Sequence, residues 1–258
     1  MKGLLLRVLP EFVLSRLKRI HYVRALASFS EVEVAVIKEL VVKGDRALDV
    51  GANVGWYTRI LSELVGESGR VYSIEPIPET FALLSYCVKK LHLSNVETFN
   101  YAVSDKDGIV RMEIPKYGGG GDNYYQSRIV EGGSGEGALR SHAVESRSID
   151  SLFPAAETRI SFIKCDVEGH ELAVARGAEN VTRRSFPAWL VEVSSNPDED
   201  GTEARLLFSH YEQMGYGAYW YADETLHLRR KGEQPTNCFF LRENHVARLK
   251  ASGMGFAA

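Results

Sequence analysis

Three acidic residues in this 258-residue chain stand at the ends of short apolar runs. Asp49 sits in Arg46-Ala47-Leu48-Asp49-Val50, Glu75 follows Val71-Tyr72-Ser73-Ile74, and Asp166 follows the run from Ile160 to Cys165. If each run is a buried strand of one sheet, the three carboxylates converge on a crevice at the strands' carboxyl ends, where open α/β sheets bind ligands. At an effective dielectric of about 20, one charge pair at 4 Å is worth roughly 4 kcal/mol before desolvation, so such a crevice attracts a cation.

Between the first two acids lies Asp49-x-Gly51-x-x-x-Gly55, a glycine turn from strand to helix. Gly51 permits a sharp turn and close approach of a ligand, and Gly55 permits tight helix–strand contact. A dinucleotide site uses related glycines, but its pyrophosphate favours helix amides free of acids. The chain has no G-x-G-x-x-G and no G-x-x-x-x-G-K. S-adenosylmethionine (SAM) carries a sulfonium, an ammonium and a single carboxylate. Its net positive charge suits the three acids, and Glu75, 24 residues after Gly51, is placed to accept hydrogen bonds from both ribose hydroxyls.

A second dense cluster is Lys164-Cys165-Asp166-Val167-Glu168-Gly169-His170-Glu171. Strand alternation puts Ile163, Cys165 and Val167 on one face, and Lys164, Asp166 and Glu168 on the other. Methyl transfer needs an aligned nucleophile and often a base for its proton. Asp166, Glu168 and His170 are the candidates for that role. Glu171 suits a helix N-terminus, and Lys164 suits a carboxylate partner. No ligand spacing points to a metal. Asp122-Asn123-Tyr124-Tyr125-Gln126-Ser127-Arg128 lies between Gly118–Gly121 and the glycines of 132–137, a pattern that reads as a lid suited to a polar acceptor such as a sugar. Trp56 borders the glycine turn or packs under it.

The elements that must hold these residues alternate. Helices are expected over 31–42, 54–65, 79–91 and 203–214, and from Glu171 to Arg176. Strands are expected at 46–50, 71–75, 96–100, 110–114, 160–166 and 188–193, with short ones at 216–220 and 237–241. That alternation predicts a parallel sheet with helices on both faces. Length and 45% apolar content fit one large domain. Residues 1–43 read as a helical extension, and 44–258 as the main domain with a glycine-rich insertion near 117–137. Cys87, Cys165 and Cys238 are widely spaced, which points to buried thiols, no disulfide framework and a cytoplasmic setting. The net charge of −3 gives no global field for nucleic acid. Residues 1–30 hold six Lys and Arg against one acid, Glu11. A basic-faced helix packed on the domain is expected over one lying on a membrane surface.

Taken in order, these blocks resemble the FkbM family of methyltransferases. The match runs from about Gly44 to Val193. It rests on Asp49-Val50-Gly51-Ala52-Asn53-Val54-Gly55 with Thr58, on Ile74-Glu75-Pro76-Ile77-Pro78, and on Ala102-Val103-Ser104-Asp105-Lys106-Asp107-Gly108. Ser148-Ile149-Asp150-Ser151-Leu152, Ile163 to Glu171, and Gly177-Ala178 follow. The resemblance implies a Rossmann-like class I methyltransferase fold with a mostly parallel, seven-stranded sheet. It implies O-methylation of a hydroxyl on a sugar, glycoconjugate or natural product. A SAM-binding module without catalysis, associated with a membrane through its N-terminal helix, is the alternative. By position, Gly51, Asn53 and Gly55 would hold the methionine part of SAM, with Asp49 and Thr58 beside them. Glu75 would bind the ribose, Pro76, Ala102 and Val103 would lie near the adenine, and Asp166 near the amino group or acceptor. The resemblance does not name the acceptor, and Ile149-Asp150 departs from the family's commoner Leu-Asp.

Overall fold

The computed structural model describes residues 11–115, 123, 127–130, 140–156 and 158–257. Most of the expected lid, including Asp122, Tyr124, Tyr125 and Gln126, lies outside the described residues, as do residues 1–10.

The first half runs α1 (Glu11–Ser28), α2 (Val34–Leu40), β1 (Arg46–Val50), α3 (Trp56–Val65), β2 (Arg70–Ile74), α4 (Pro78–Lys90) and β3 (Val96–Phe99). Four strands follow: β4 (Ala102–Val103), β5 (Gly108–Ile114), β6 (Arg128–Val130) and β7 (Arg140–Arg147). The chain continues through α5 (Ile149–Leu152), β8 (Phe162–Cys165), α6 (Glu171–Arg176), α7 (Glu179–Ser185), β9 (Ala188–Glu192) and α8 (Glu203–Gln213). It closes with β10 (Gly217–Ala222), β11 (Thr225–Leu228), β12 (Asn237–Leu241), α9 (Glu243–Ala251) and β13 (Gly255–Phe256).

The main sheet has the order β13-β11-β10-β12-β9-β8-β1-β2-β3. Strands β3, β2, β1, β8 and β9 are parallel neighbours. β12 runs against both β9 and β10. Seven strands, from β3 to β10 with β12 alone reversed, therefore make the mostly parallel sheet that the resemblance implies. The hairpin partner β11 and the short β13 widen it to nine. Among the described residues flanking the glycine-rich insertion, β4, β7, β5 and β6 form a separate four-stranded sheet.

Period-2 alternation sorts the strand residues onto two cores. Leu48, Val50, Ile163, Cys165, Trp189 and Val191 face α6, α7 and α8 through Leu172, Val181, Leu207 and Phe208. Ala47, Phe162, Ala188 and Leu190 face α2, α3 and α9 through Ile37, Leu40, Leu61 and Leu249. The sheet is thus covered on both sides, which is why its central strands read as continuous apolar runs. The three cysteines are buried free thiols. In α1 the last turns pack, with Leu26 in a cluster with Val54, Cys87 and Trp56, while Arg16, Leu17, Lys18, Arg19 and Ile20 are exposed. Among the described residues no helix is long and apolar enough to cross a membrane.

Candidate functional site

The sheet reverses its winding between β1 and β8. The chain steps outward from β1 to β2 and β3, then returns to lay β8 on the other side of β1. Ligands of open α/β sheets bind at such a switch point, outside the strands' carboxyl ends. A cavity of about 390 Å³ lies there.

Its floor is the glycine turn. The N–H groups of Gly51 and Ala52 both donate to the carbonyl of Ile74 at 3.0 Å, and that of Asp166 donates to Val50 at 3.0 Å, so β2 and β8 clamp the turn from either side. Gly51 has φ +77°, and a Cβ there would stand 1.8 Å from the carbonyl oxygen of Asp166. Only glycine fits. Gly55, with φ +102°, caps α3 against Leu84.

Asp49 is buried at the end of β1 and lines the cavity. Thr58 Oγ1 donates to Asp49 Oδ2 at 2.6 Å and lies 2.9 Å from Ser73 Oγ, so the first turn of α3 aims the carboxylate. Burial pushes the Asp49 carboxyl up to about 6, against the Thr58 hydroxyl and the Lys164 ammonium, which pull it down. Glu75 follows β2. Its Oε2 accepts the Asn53 N–H and its Oε1 accepts the Ile77 N–H, each at 3.0 Å. Asn100 Nδ2 donates to the carbonyls of Glu75 and Pro76 at 2.8 and 2.9 Å and holds the segment in place. Burial again dominates, outweighing both N–H groups, and Glu75 rises to about 7.

At the carboxyl end of β8, Lys164 and Asp166 form an ion pair at 2.9 Å, with the ammonium buried and 5.1 Å from the centre of the Tyr57 ring. Burial opposes the Lys164 charge, but Asp166 and Asp49 overcome it and hold the ammonium above its ordinary value. Glu168 takes a left-handed backbone, φ +54°, to turn the chain, and burial followed by the charge of Asp166 raises its carboxyl. Glu171 Oε1 accepts the N–H of Gly169 at 3.0 Å and so closes the turn beneath α6.

Of the residues singled out from the sequence, Asp49, Gly51, Asn53, Glu75, Pro76, Ala102, Val103, Asp166 and Glu168 line this one cavity. Gly55 and Thr58 support it from behind. His170 is not among the lining residues; its Nε2 lies 2.8 Å from Ser104 Oγ, just past β4. Trp56 lines the cavity and packs against Phe29, with ring centres 4.8 Å apart and the ring planes tilted by 35°.

Several wall residues escape the sequence argument. Glu192 ends β9 as Asp166 follows β8, and a strand-end acid was the available signal. Asn237 starts β12, a strand legible only as apolar. Phe29 and Glu31 come from the link between α1 and α2, while Met112 and Ile129 come from β5 and β6 of the small sheet.

The chain aligns at 26% identity over 188 residues with the hexuronic acid methyltransferase AglP of Haloferax volcanii, covering 72% of this chain and 71% of that one. A protein-L-isoaspartate O-methyltransferase of Fervidobacterium nodosum is 39% identical over 67 residues, a match spanning 26% of this chain and about a third of that enzyme, 32%. The crystal structure of a methyltransferase FkbM from Methylobacillus flagellatus superposes with a TM-score of 0.48 at 14% identity, covering 86% of this chain and 58% of that one. The family model of the methyltransferase FkbM domain matches residues 49–217, from the glycine turn to the start of β10. The chain belongs to the FkbM methyltransferase family.

Proposed function

We propose that the protein transfers the methyl group of S-adenosylmethionine to a hydroxyl of a sugar, glycoconjugate or natural-product acceptor. The observation that carries this reading is the convergence of Asp49, Glu75 and Asp166 on one cavity around Gly51, where the place of a Cβ is already taken by backbone. Such a floor accepts a ligand pressed against bare backbone, and the acids suit one of positive charge.

Gly51 and Asn53 hold the methionine end in this reading, aimed by Asp49 on Thr58. Glu75 takes the ribose hydroxyls. Pro76, Ala102 and Val103 flank the base, with Met112 and Ile129 of the small sheet closing over it. Asp166 and Glu168 face the acceptor. Bound SAM supplies an electrophilic methyl group on sulfur; the protein's part is to align the acceptor and take its proton.

Calorimetry with SAM and S-adenosylhomocysteine, followed by methyl transfer to a panel of hydroxylated acceptors, tests the reading. Binding of both, with turnover of at least one acceptor, is the expected result. Failure of both ligands to bind sinks it, and binding without turnover leaves a cofactor-binding module. Glu75→Ala removes a carboxylate that makes charge-assisted hydrogen bonds worth about 1.5–3 kcal/mol. The dissociation constant of SAM should rise by about 10- to 100-fold, and an unchanged constant would remove Glu75 from the ribose site.

A further inference from the structure

We propose that Glu192, at the carboxyl end of β9, is the group that takes the acceptor's proton, with Lys164 and Asp166 as the residues that position it. The inference rests on the reading of the cavity as a site of methyl transfer to a hydroxyl.

The sheet register sets up the arrangement. Cys165 of β8 is the partner of Val191 of β9, so the next residues along the two parallel strands, Asp166 and Glu192, emerge side by side. On its other side Glu192 is paired in register with Asn237 of β12. All three line the cavity with Lys164 and Glu168. Asp166 is already committed to the Lys164 ammonium at 2.9 Å. Asn237 is committed as well, because its Nδ2 donates to Glu33 Oε1 at 2.8 Å. Glu192 is thus flanked by two groups whose partners fix them, with the Asp166 carboxylate its neighbour across the strand pair.

That placement decides the direction of proton flow. Asp166 is paired with the Lys164 ammonium, so a proton that arrives between the two carboxylates rests on Glu192. As the acceptor oxygen bonds to the methyl carbon, its O–H bond breaks toward a Glu192 carboxylate oxygen. The electron pair of the broken carbon–sulfur bond stays on sulfur. The protonated Glu192 then donates to Asp166, whose negative charge the reaction leaves unchanged.

The electrostatics agree with this geometry. Burial, then the charge of Asp166, pushes the Glu192 carboxyl up to about 7, with Lys164 opposing and Glu168 adding to the rise. A base whose value lies near the working pH combines a usable ionised fraction with real proton affinity. The charged and titratable groups facing it are Lys164, Asp166 and Glu168 from the β8 end, with Glu31 of the α1–α2 link and Tyr57 of α3 farther along the same wall. His170, which the sequence also nominates, lies behind the wall on Ser104.

The test compares E192Q, E192D and D166N with the wild type, each checked for folding by circular dichroism. Without any cofactor, carbon-13 NMR of labelled glutamate should show two carboxyls titrating near 7, those of Glu75 and Glu192, one of which is absent from E192Q and moves down in D166N. With SAM and an acceptor that the wild type methylates, kcat should rise with pH through about 7. E192Q should lose about 100-fold in kcat or more, the usual reach of a positioned base, and lose that rising limb, while its dissociation constant for SAM stays within about twofold. E192D should keep the limb. A kcat for E192Q within about threefold of wild type overturns the proposal, as does a limb that survives in E192Q and disappears in H170Q. A wild type that binds neither SAM nor S-adenosylhomocysteine overturns the methyltransferase reading itself, and this proposal with it.

Discussion

Gly51 has the least latitude of any residue in the site. Two constraints meet there, a left-handed backbone and a carbonyl oxygen where a Cβ would go. Gly51→Ala should cost at least the ~1–2 kcal/mol of a left-handed L-residue, or about 2–8 °C in Tm for a domain of this size. Because relief of the clash must move Asp166, binding of SAM should weaken in the same variant. Differential scanning calorimetry and a binding isotherm check the two parts separately. The buried acids make a second claim at this scale. Asp49 and Glu75 sit at about 6 and about 7, above the ordinary 3.8 and 4.5, because burial penalises their charge. The folded chain therefore binds more protons than the unfolded chain from about pH 4 to 7, and stability falls as pH rises through that window. The Tm of the free protein should drop between pH 5 and 7.5. The rise in Tm on adding SAM should grow over the same range as the carboxylates ionise. A flat Tm would contradict the burial of these charges.

At the scale of elements, α1 is the piece whose role differs most from its appearance. Its bases and exposed Leu17 and Ile20 suggest a surface helix, but its last turns pack on Val54, Trp56 and Cys87, and Phe29 just beyond it forms part of the cavity wall. Leu26→Ala should cost ~2–5 kcal/mol as a truncation in a packed cluster. It should also change the fluorescence of Trp56, read in a urea titration. What was legible in the sequence follows from how each element is stabilised. β1, β2, β8 and β9 are covered on both faces, so they read as apolar runs. α3, α4 and α8 lie within two residues of their expected bounds at either end. β7, Arg-Ser-His-Ala-Val-Glu-Ser-Arg, has one face in water and too few apolar residues to stand out. The β10–β11 hairpin turns through Asp223 and Glu224, both at positive φ. Asp-Glu lacks the glycine that usually announces such a turn. In the site, Asp49, Glu75 and Asp166 were legible because each closes an apolar run. Glu192 was masked by the apolar Val193 after it, Asn237 matters only through pairings distant in sequence, and Glu31 only through its place in the folded wall.

For the whole molecule the balance of charge around the cavity matters most. Glu31, Asp49, Glu75, Asp166, Glu168 and Glu192 all line it, and Lys164, already paired with Asp166, is the one Lys or Arg among the described lining residues. An uncharged polyol or an amino sugar meets no repulsion there, whereas a uronate does. The KM for an acidic acceptor should exceed that of its uncharged analogue by about tenfold or more, roughly 1.4 kcal/mol. Added salt should narrow the gap, because screening acts on repulsion in an open cleft. Equal KM values at low salt would show that the acids are neutralised or turned away.

The place of β12 bears on how the molecule comes into being. Asn237 reaches Glu33 across 204 residues, and its strand inserts between β9 and β10, both made earlier by the ribosome. A nascent chain lacking β12 has β9 and β10 unpaired with each other and an open wall beside Glu192. Contacts of such long sequence separation form late and slowly. The emerging polypeptide therefore exposes two apolar strand edges until β12 has been synthesised, and the cavity wall beside Glu192 closes only at that insertion.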